Sequence, residues 1–232
     1  MALVAVAAVA LRLRLQTAPA PAPAPAAAPG PEATPSPAEP PAAATGPGQV
    51  GSLLEAISSN PLFRAGLAGD PVRRWAVVTD NLALGESPRH QLAFLAPRRA
   101  FSVVGRGGRT FVAGESYRRY DDFAAAVASL DAQAVARAYR ALHAPLEAAY
   151  RALGYPRGSL DEVTGRALRR IEEAPVQAGE LEVVLDGGLY RFRDARLEAL
   201  GAVEKHLLRM GAGNTRLVQA KAREIRQALE LP

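Results

Sequence analysis

Eleven of the 19 prolines of this chain fall between Pro19 and Pro47, among Ala, Gly, Thr, Ser and two Glu. That run decides where a folded domain can begin. It has almost nothing to bury and so cannot offset the entropy of ordering itself. Proline also pushes the residue before it into extended conformations, so the alternating Ala-Pro pattern favours polyproline II. The 33 residues from 17 to 49 are read as a disordered Pro/Ala-rich linker. Fully extended at about 3.1 Å per residue, they would reach on the order of 100 Å. No anchoring Arg stands beside a PxxP, so a spacer is favoured over a recognition motif.

Residues 1–16 carry an uninterrupted apolar run from Leu3 to Leu11, closed by Arg12 and Arg14. A spanning helix needs about 20 such residues, and an arginine near the bilayer centre costs about 2.5–3.5 kcal/mol. The run is read as the tail of a truncated membrane anchor. A signal-peptide core, which lacks a preceding basic region, and an accidental Ala/Val stretch are the competing readings. Residues 50–232 remain for one helical domain, long enough to bury roughly 70% of its extended-chain surface around a single core.

The chain has no cysteine, which removes thiol nucleophiles, disulfides and the common zinc knuckles. Its net charge is +5, and only Lys205 and Lys221 among its basic residues are lysine. Acidic residues interleave with the arginines almost everywhere, which favours a solvated surface over the clustered charge of a nucleic-acid binder.

Within 50–232 the patterns call for a mainly α, compact multi-helix domain with one or two small β-hairpins. Ser52–Ser59 is a short helix candidate. Asn60-Pro61 and Asp70-Pro71 each place a capping residue before a first-turn proline. After the second, Val72, Trp75, Val78 and Leu82 share a face and Gly85 ends the helix. The runs 101–104 and 110–113 flank a glycine-rich turn, as do 181–185 and 189–192 around Asp186-Gly187-Gly188; both suit hairpins. Tyr120, Phe123, Val127 and Leu130 are spaced for a helix. Val135, Tyr139, Leu142, Leu146, Ala149 and Leu153 make the stripe of one long helix over 131–153. Ser159 to Glu162 is a capping-box pattern. Two last helices, 195–210 and 213–229, are expected to divide at Gly211. The second turns Val218, Ala222, Ile225 and Leu229 inward and leaves Arg216, Arg223 and Arg226 in water.

Four of these blocks, in order, carry a resemblance: Val77-Val78-Thr79-Asp80-Asn81-Leu82, Tyr117-Arg118-Arg119-Tyr120-Asp121, Leu153-Gly154-Tyr155-Pro156, and Leu207-Leu208-Arg209-Met210-Gly211 with Asn214. Together they resemble the signature of the bacterial domain-of-unknown-function family 3014, across nearly all of residues 50–232. The resemblance implies a membrane anchor, a Pro-rich linker and then the domain, here with a curtailed anchor. It implies a placement and brings no activity with it.

Chemistry is harder to find. His90, His143 and His206 sit in three separate elements, none in a metal-binding pattern such as H-E-x-x-H, and structural roles are favoured for all three. The stretch from Gly105 to Thr110 lacks the Lys-Ser/Thr ending of a phosphate loop. No G-x-S-x-G elbow is present. No catalytic residue, metal ligand or cofactor is therefore assigned. Weak candidates for binding are Asp80 and Asn81, at the end of the Trp75 helix, and Tyr117, Arg118, Tyr120 and Asp121, around a helix start. Arg209 joins them and could satisfy the last carbonyls before Gly211.

The function expected is an interaction or scaffolding module held near a bacterial envelope membrane, with its domain on the periplasmic side. Its partner would be an envelope protein or a cell-wall component. An envelope enzyme of hydrolase type using Asp80, Asp121 or His143 is one alternative. A basic nucleic-acid-binding domain is the other, and it is disfavoured.

Overall fold

A computed structural model describes residues 47–154 and 158–231, with only the backbone given for 47–50. The apolar segment 1–16, most of the 17–49 linker, and Tyr155-Pro156 of the third signature block lie outside the described residues. Helix α1 spans Pro47–Glu55. It starts earlier than expected, with a proline at the first helical position, where a missing N–H costs nothing. Helix α2, Pro61–Ala65, is capped by Asn60, whose side chain accepts from the Leu62 N–H. Helix α3, Pro71–Leu84, is capped by Asp70 at one end and by left-handed Gly85 at the other. A 3-10 turn follows at Ala93–Leu95.

Hairpin β1–β2 (Val103–Arg106, Arg109–Val112) and hairpin β3–β4 (Val183–Asp186, Leu189–Phe192) are built alike. Each is antiparallel and closes on two glycines with positive φ, 57° and 72° at Gly107-Gly108 and 57° and 79° at Gly187-Gly188. Two consecutive left-handed residues make the turn whose twist matches the strands, and glycine adopts it without strain. The expectation of hairpins is met twice. The two hairpins also meet, through Val112 N–H to Leu181 C=O at 2.9 Å and an isolated bridge from Phe111 to Glu182.

Helix α4 (Gly114–Arg118) is a short helix that the sequence patterns did not call for, and Tyr120 stands at the cap of α5 (Asp121–Ala128) instead of within it. Helices α5, α6 (Ala132–Ala141), α7 (His143–Arg151) and α8 (Leu160–Glu173) otherwise follow the expected apolar pattern, with one correction. The stripe over 131–153 is two helices, broken at Leu142, whose φ and ψ are −107° and 10°. Pro145 is the cause. It has no N–H for the Ala141 carbonyl, and its ring crowds that carbonyl. The buried stripe survives the break, because Val135, Tyr139, Leu142 and Leu146 all stay in the core. The capping box of α8 is complete, with Ser159 and Glu162 each bonded to the other's backbone.

Helices α9 (Ala195–Glu198) and α10 (Ala202–Leu229) also differ from expectation, since the chain extends at Gly201 before α10 begins. Gly211 does break α10, with φ 80° and ψ 158°. Arg226 is half-buried rather than in water, paired with Glu172 at 2.7 Å.

The main core is helical. Helix α3 packs on α7 and α8, and α10 packs on α5, α6 and α8. Phe63, Trp75, Leu146, Leu168, Met210 and Ile225 are fully enclosed there. A smaller core under the hairpins joins Val112, Leu181, Val183, Phe192 and Leu208. Leu207 and Leu208, adjacent on α10, thus face different cores, and the kink at Gly211 lies where the two regions join. Among the described residues, no helix is long and apolar enough to cross a membrane.

Candidate functional site

Breaking α10 at Gly211 frees backbone carbonyls that an unbroken helix would satisfy. Two side chains just past the break take them. Thr215 Oγ1 donates to the Leu207 carbonyl at 2.6 Å, and Asn214 Nδ2 to the Met210 carbonyl at 3.1 Å. Asn214 Nδ2 also reaches the Tyr117 carbonyl at 3.1 Å and Asp121 Oδ1 at 2.9 Å. One amide therefore ties the kink to the corner between α4 and α5. The Tyr117 ring fills the notch at Gly211, where an added Cβ would lie 2.9 Å from Tyr117 Cγ. Only glycine fits, both for its φ and for this approach.

Around this crossing the second and fourth signature blocks meet. The Tyr120 ring stands edge-on to His206 at 5.4 Å. Arg119 lies 5.3 Å from the Tyr120 ring and 5.5 Å from that of Phe101, and donates to the carbonyls of Ser116 and Arg99, both at 3.1 Å. Arg209 sits 4.8 Å above the Phe192 ring and donates to the Tyr190 carbonyl at 3.2 Å. It clamps β4 onto α10, a different task from satisfying the carbonyls of its own helix. Arg118 is exposed and pairs with Glu115 at 2.8 Å.

Burial sets the protonation of this cluster. The phenols of Tyr117 and Tyr120 are pushed up by burial, so both stay neutral. The Tyr117 hydroxyl is enclosed beside the Leu181 backbone without a well-formed hydrogen bond. His206 is pushed down to about 4, first by burial and then by Arg209 and Arg119, so it is neutral near pH 7. These groups pack and tie; they are not arranged as a nucleophile with its base.

Beside the crossing runs an open groove of about 680 Å³. The 3-10 turn and residues 96–99 form one wall, the start of α5 the other, and Asn60 to Leu62 close it. Four arginines (Arg98, Arg99, Arg118, Arg119) and two aspartates (Asp121, Asp122) line it, with Phe94 and Pro97 among the apolar contributors. Sequence reasoning missed Arg98 and Arg99, because only the fold brings residues 94–99 against 118–125.

The remaining candidates lie elsewhere. Asp80 is buried on α3, its carboxyl raised by burial and by Glu86 and opposed by Arg166. The phenol of nearby Tyr150 is raised by burial first and by Asp80 second. The Asn81 carbonyl accepts from the N–H groups of Gly85 and, at 2.8 Å, Glu86, and so closes α3. His143 reaches Asp161 Oδ1 at 3.2 Å, on the same oxygen that takes the Tyr139 hydroxyl at 2.6 Å. Asp121 thus bonds to Asn214, His143 to Asp161, and Asp80 lies near Glu86 and Arg166, so each of the three engages different partners. Gln219 was also missed. Its Nε2 donates to the carbonyls of Ile171, Glu172 and Ala174 and so caps α8 from α10.

Among the described residues, no three His, Asp or Glu side chains converge in a way that could hold a metal ion. No curated protein and no solved structure matches the chain. A family model does match, over residues 71–226, from the first residue of α3 into the last turns of α10, which takes in Asp80, the Tyr117–Asp121 corner and the Gly211 kink. The matched stretch is well over half of the 232 residues, and the chain belongs to the family described as Protein of unknown function (DUF3014).

Proposed function

We propose that this domain is an interaction module. Residues 3–11 hold it at the envelope membrane, the Pro/Ala spacer sets it away from the bilayer on the periplasmic side, and it presents its arginine-lined groove to an envelope partner. What carries the reading is the division of labour at the kink. Tyr117, Asp121, Arg209 and Asn214 are engaged in holding α4, α5, α10 and β4 together, while Arg98 and Arg99 beside them stand exposed along an open groove. Such a surface suits binding, since exposed guanidiniums recognise carboxylates or phosphates bidentately. The spacer sequence supports tethering, because a long Pro-rich chain separates a domain from its attachment point.

Fractionation of cells expressing the gene with its natural N-terminal residues tests the placement. The domain should sediment with membranes and be released when residues 3–11 are deleted. Recovery of the undeleted protein in the soluble fraction would refute the tether.

A further inference from the structure

Resting on the interaction-module reading, we propose that the groove between residues 94–99 and 118–125 binds an acidic, partly apolar segment of a partner protein. The charges argue for it first. On the hairpins, Arg106, Arg109, Arg191 and Arg193 each face a carboxylate of this chain. Arg98 and Arg99 have none among the described residues. Arg119 also lacks one, yet its guanidinium is fixed by two carbonyls and by the Phe101 and Tyr120 rings. A cation held in place this way loses little side-chain entropy on meeting an anion.

The lining then selects among anions. Asp121 and Asp122 stand in the same groove as the arginines. A duplex carries a phosphate charge roughly every 1.7 Å of its axis, and a continuous track of that kind would meet both carboxylates. A bilayer surface is too broad to enter a groove whose size, about 680 Å³, falls in the range of sites that enclose small ligands. A peptide alternates its chemistry along its length. Its carboxylates can meet Arg98, Arg99 and Arg119 while its apolar side chains lie on Phe94 and Pro97.

Fluorescence anisotropy on the full chain tests this, with a short labelled peptide alternating glutamate and leucine at low salt. Binding is expected, and it should weaken about tenfold in R98Q/R99Q, as the loss of two exposed charge pairs implies. Both side chains are exposed, so the variant should melt as the wild type does. R106Q/R109Q should bind normally. On the wild type alone, a lysine–leucine peptide should not bind, a result that depends on no variant folding. Failure of the glutamate peptide to bind, or equal loss in R106Q/R109Q, would overturn the assignment. So would tighter binding of duplex DNA or phosphatidylglycerol vesicles through Arg98 and Arg99. If the peptide fails while the chain still fractionates with membranes and crosslinks to an envelope protein, only the groove assignment falls. Soluble recovery would remove the module reading itself.

Discussion

The helical body around α3, α7 and α8 and the junction around Gly211 are held together by different means. In the body, Trp75 is enclosed, edge-on to Tyr139 at 6.0 Å, among Val78, Leu82, Leu146 and Leu168. Its stability comes from apolar area and from local caps, and many side chains of similar volume could supply it. In the junction, one asparagine, one glycine and several aromatic–arginine contacts define how the chain crosses itself. Few substitutes fit there. Apolar packing makes the body stable, and specific polar contacts make the junction particular.

Truncating the body should cost most. Trp75→Ala removes a fully enclosed ring and should lower stability by about 3–5 kcal/mol in chemical denaturation. A loss under 1 kcal/mol would mean that the core is not where the structure puts it. Gly211→Ala comes next. It places a Cβ against the Tyr117 ring at a backbone conformation costly for any L side chain, for about 1–3 kcal/mol. The Tyr117 near-ultraviolet signal should change along with stability. A Gly211→Ala protein as stable as the wild type, with that signal unchanged, would show that the notch is loose.

The two regions should also differ in sign with pH. His206, at the junction, has a folded pKa of about 4 against an ordinary 6.5. Its contribution is full above 6.5 and is lost as pH falls toward 4. His206→Phe should therefore flatten the acid limb of a stability–pH profile. Asp80, in the body, is raised above 3.8. Its folded form favours the proton, so its contribution is full below 3.8 and is lost as pH rises through the raised value. Asp80→Asn should give a small gain in melting temperature at pH 7 that closes below pH 3.8. A loss at pH 7 would assign Asp80 an ion-pairing role instead.

The same contrast governs what could be read from the sequence. The caps at Asn60, Asp70 and Ser159, the glycine turns of both hairpins and the break at Gly211 depend on residues within a few positions of one another. Local chemistry announces itself. The break at Leu142 was also local, but the regular apolar stripe running across it hid the effect of Pro145. Tyr117, Tyr120, Asp121 and Arg209 could be singled out by type. That Asn214 joins two of them, 97 and 93 positions away in sequence, could not. Arg209 on Tyr190, His143 on Asp161 and Gln219 on the end of α8 are likewise contacts between different elements, 19, 18 and 45 positions apart. The groove arginines carry no local signal, because Arg98 and Arg99 acquire their setting only when α5 folds beside them.

The central claim is that the polar signature residues hold the junction while the neighbouring arginines bind. It is tested most directly by measuring melting and glutamate-peptide binding on Asn214→Ala and on Arg98→Gln/Arg99→Gln together. Asn214→Ala should melt lower, by about 1–3 kcal/mol of stability for its unsatisfied partners, and still bind peptide below its transition. Arg98→Gln/Arg99→Gln should melt like the wild type and bind the peptide about tenfold more weakly. An Asn214→Ala protein of unchanged stability that no longer binds would place the working site at the kink and contradict the account.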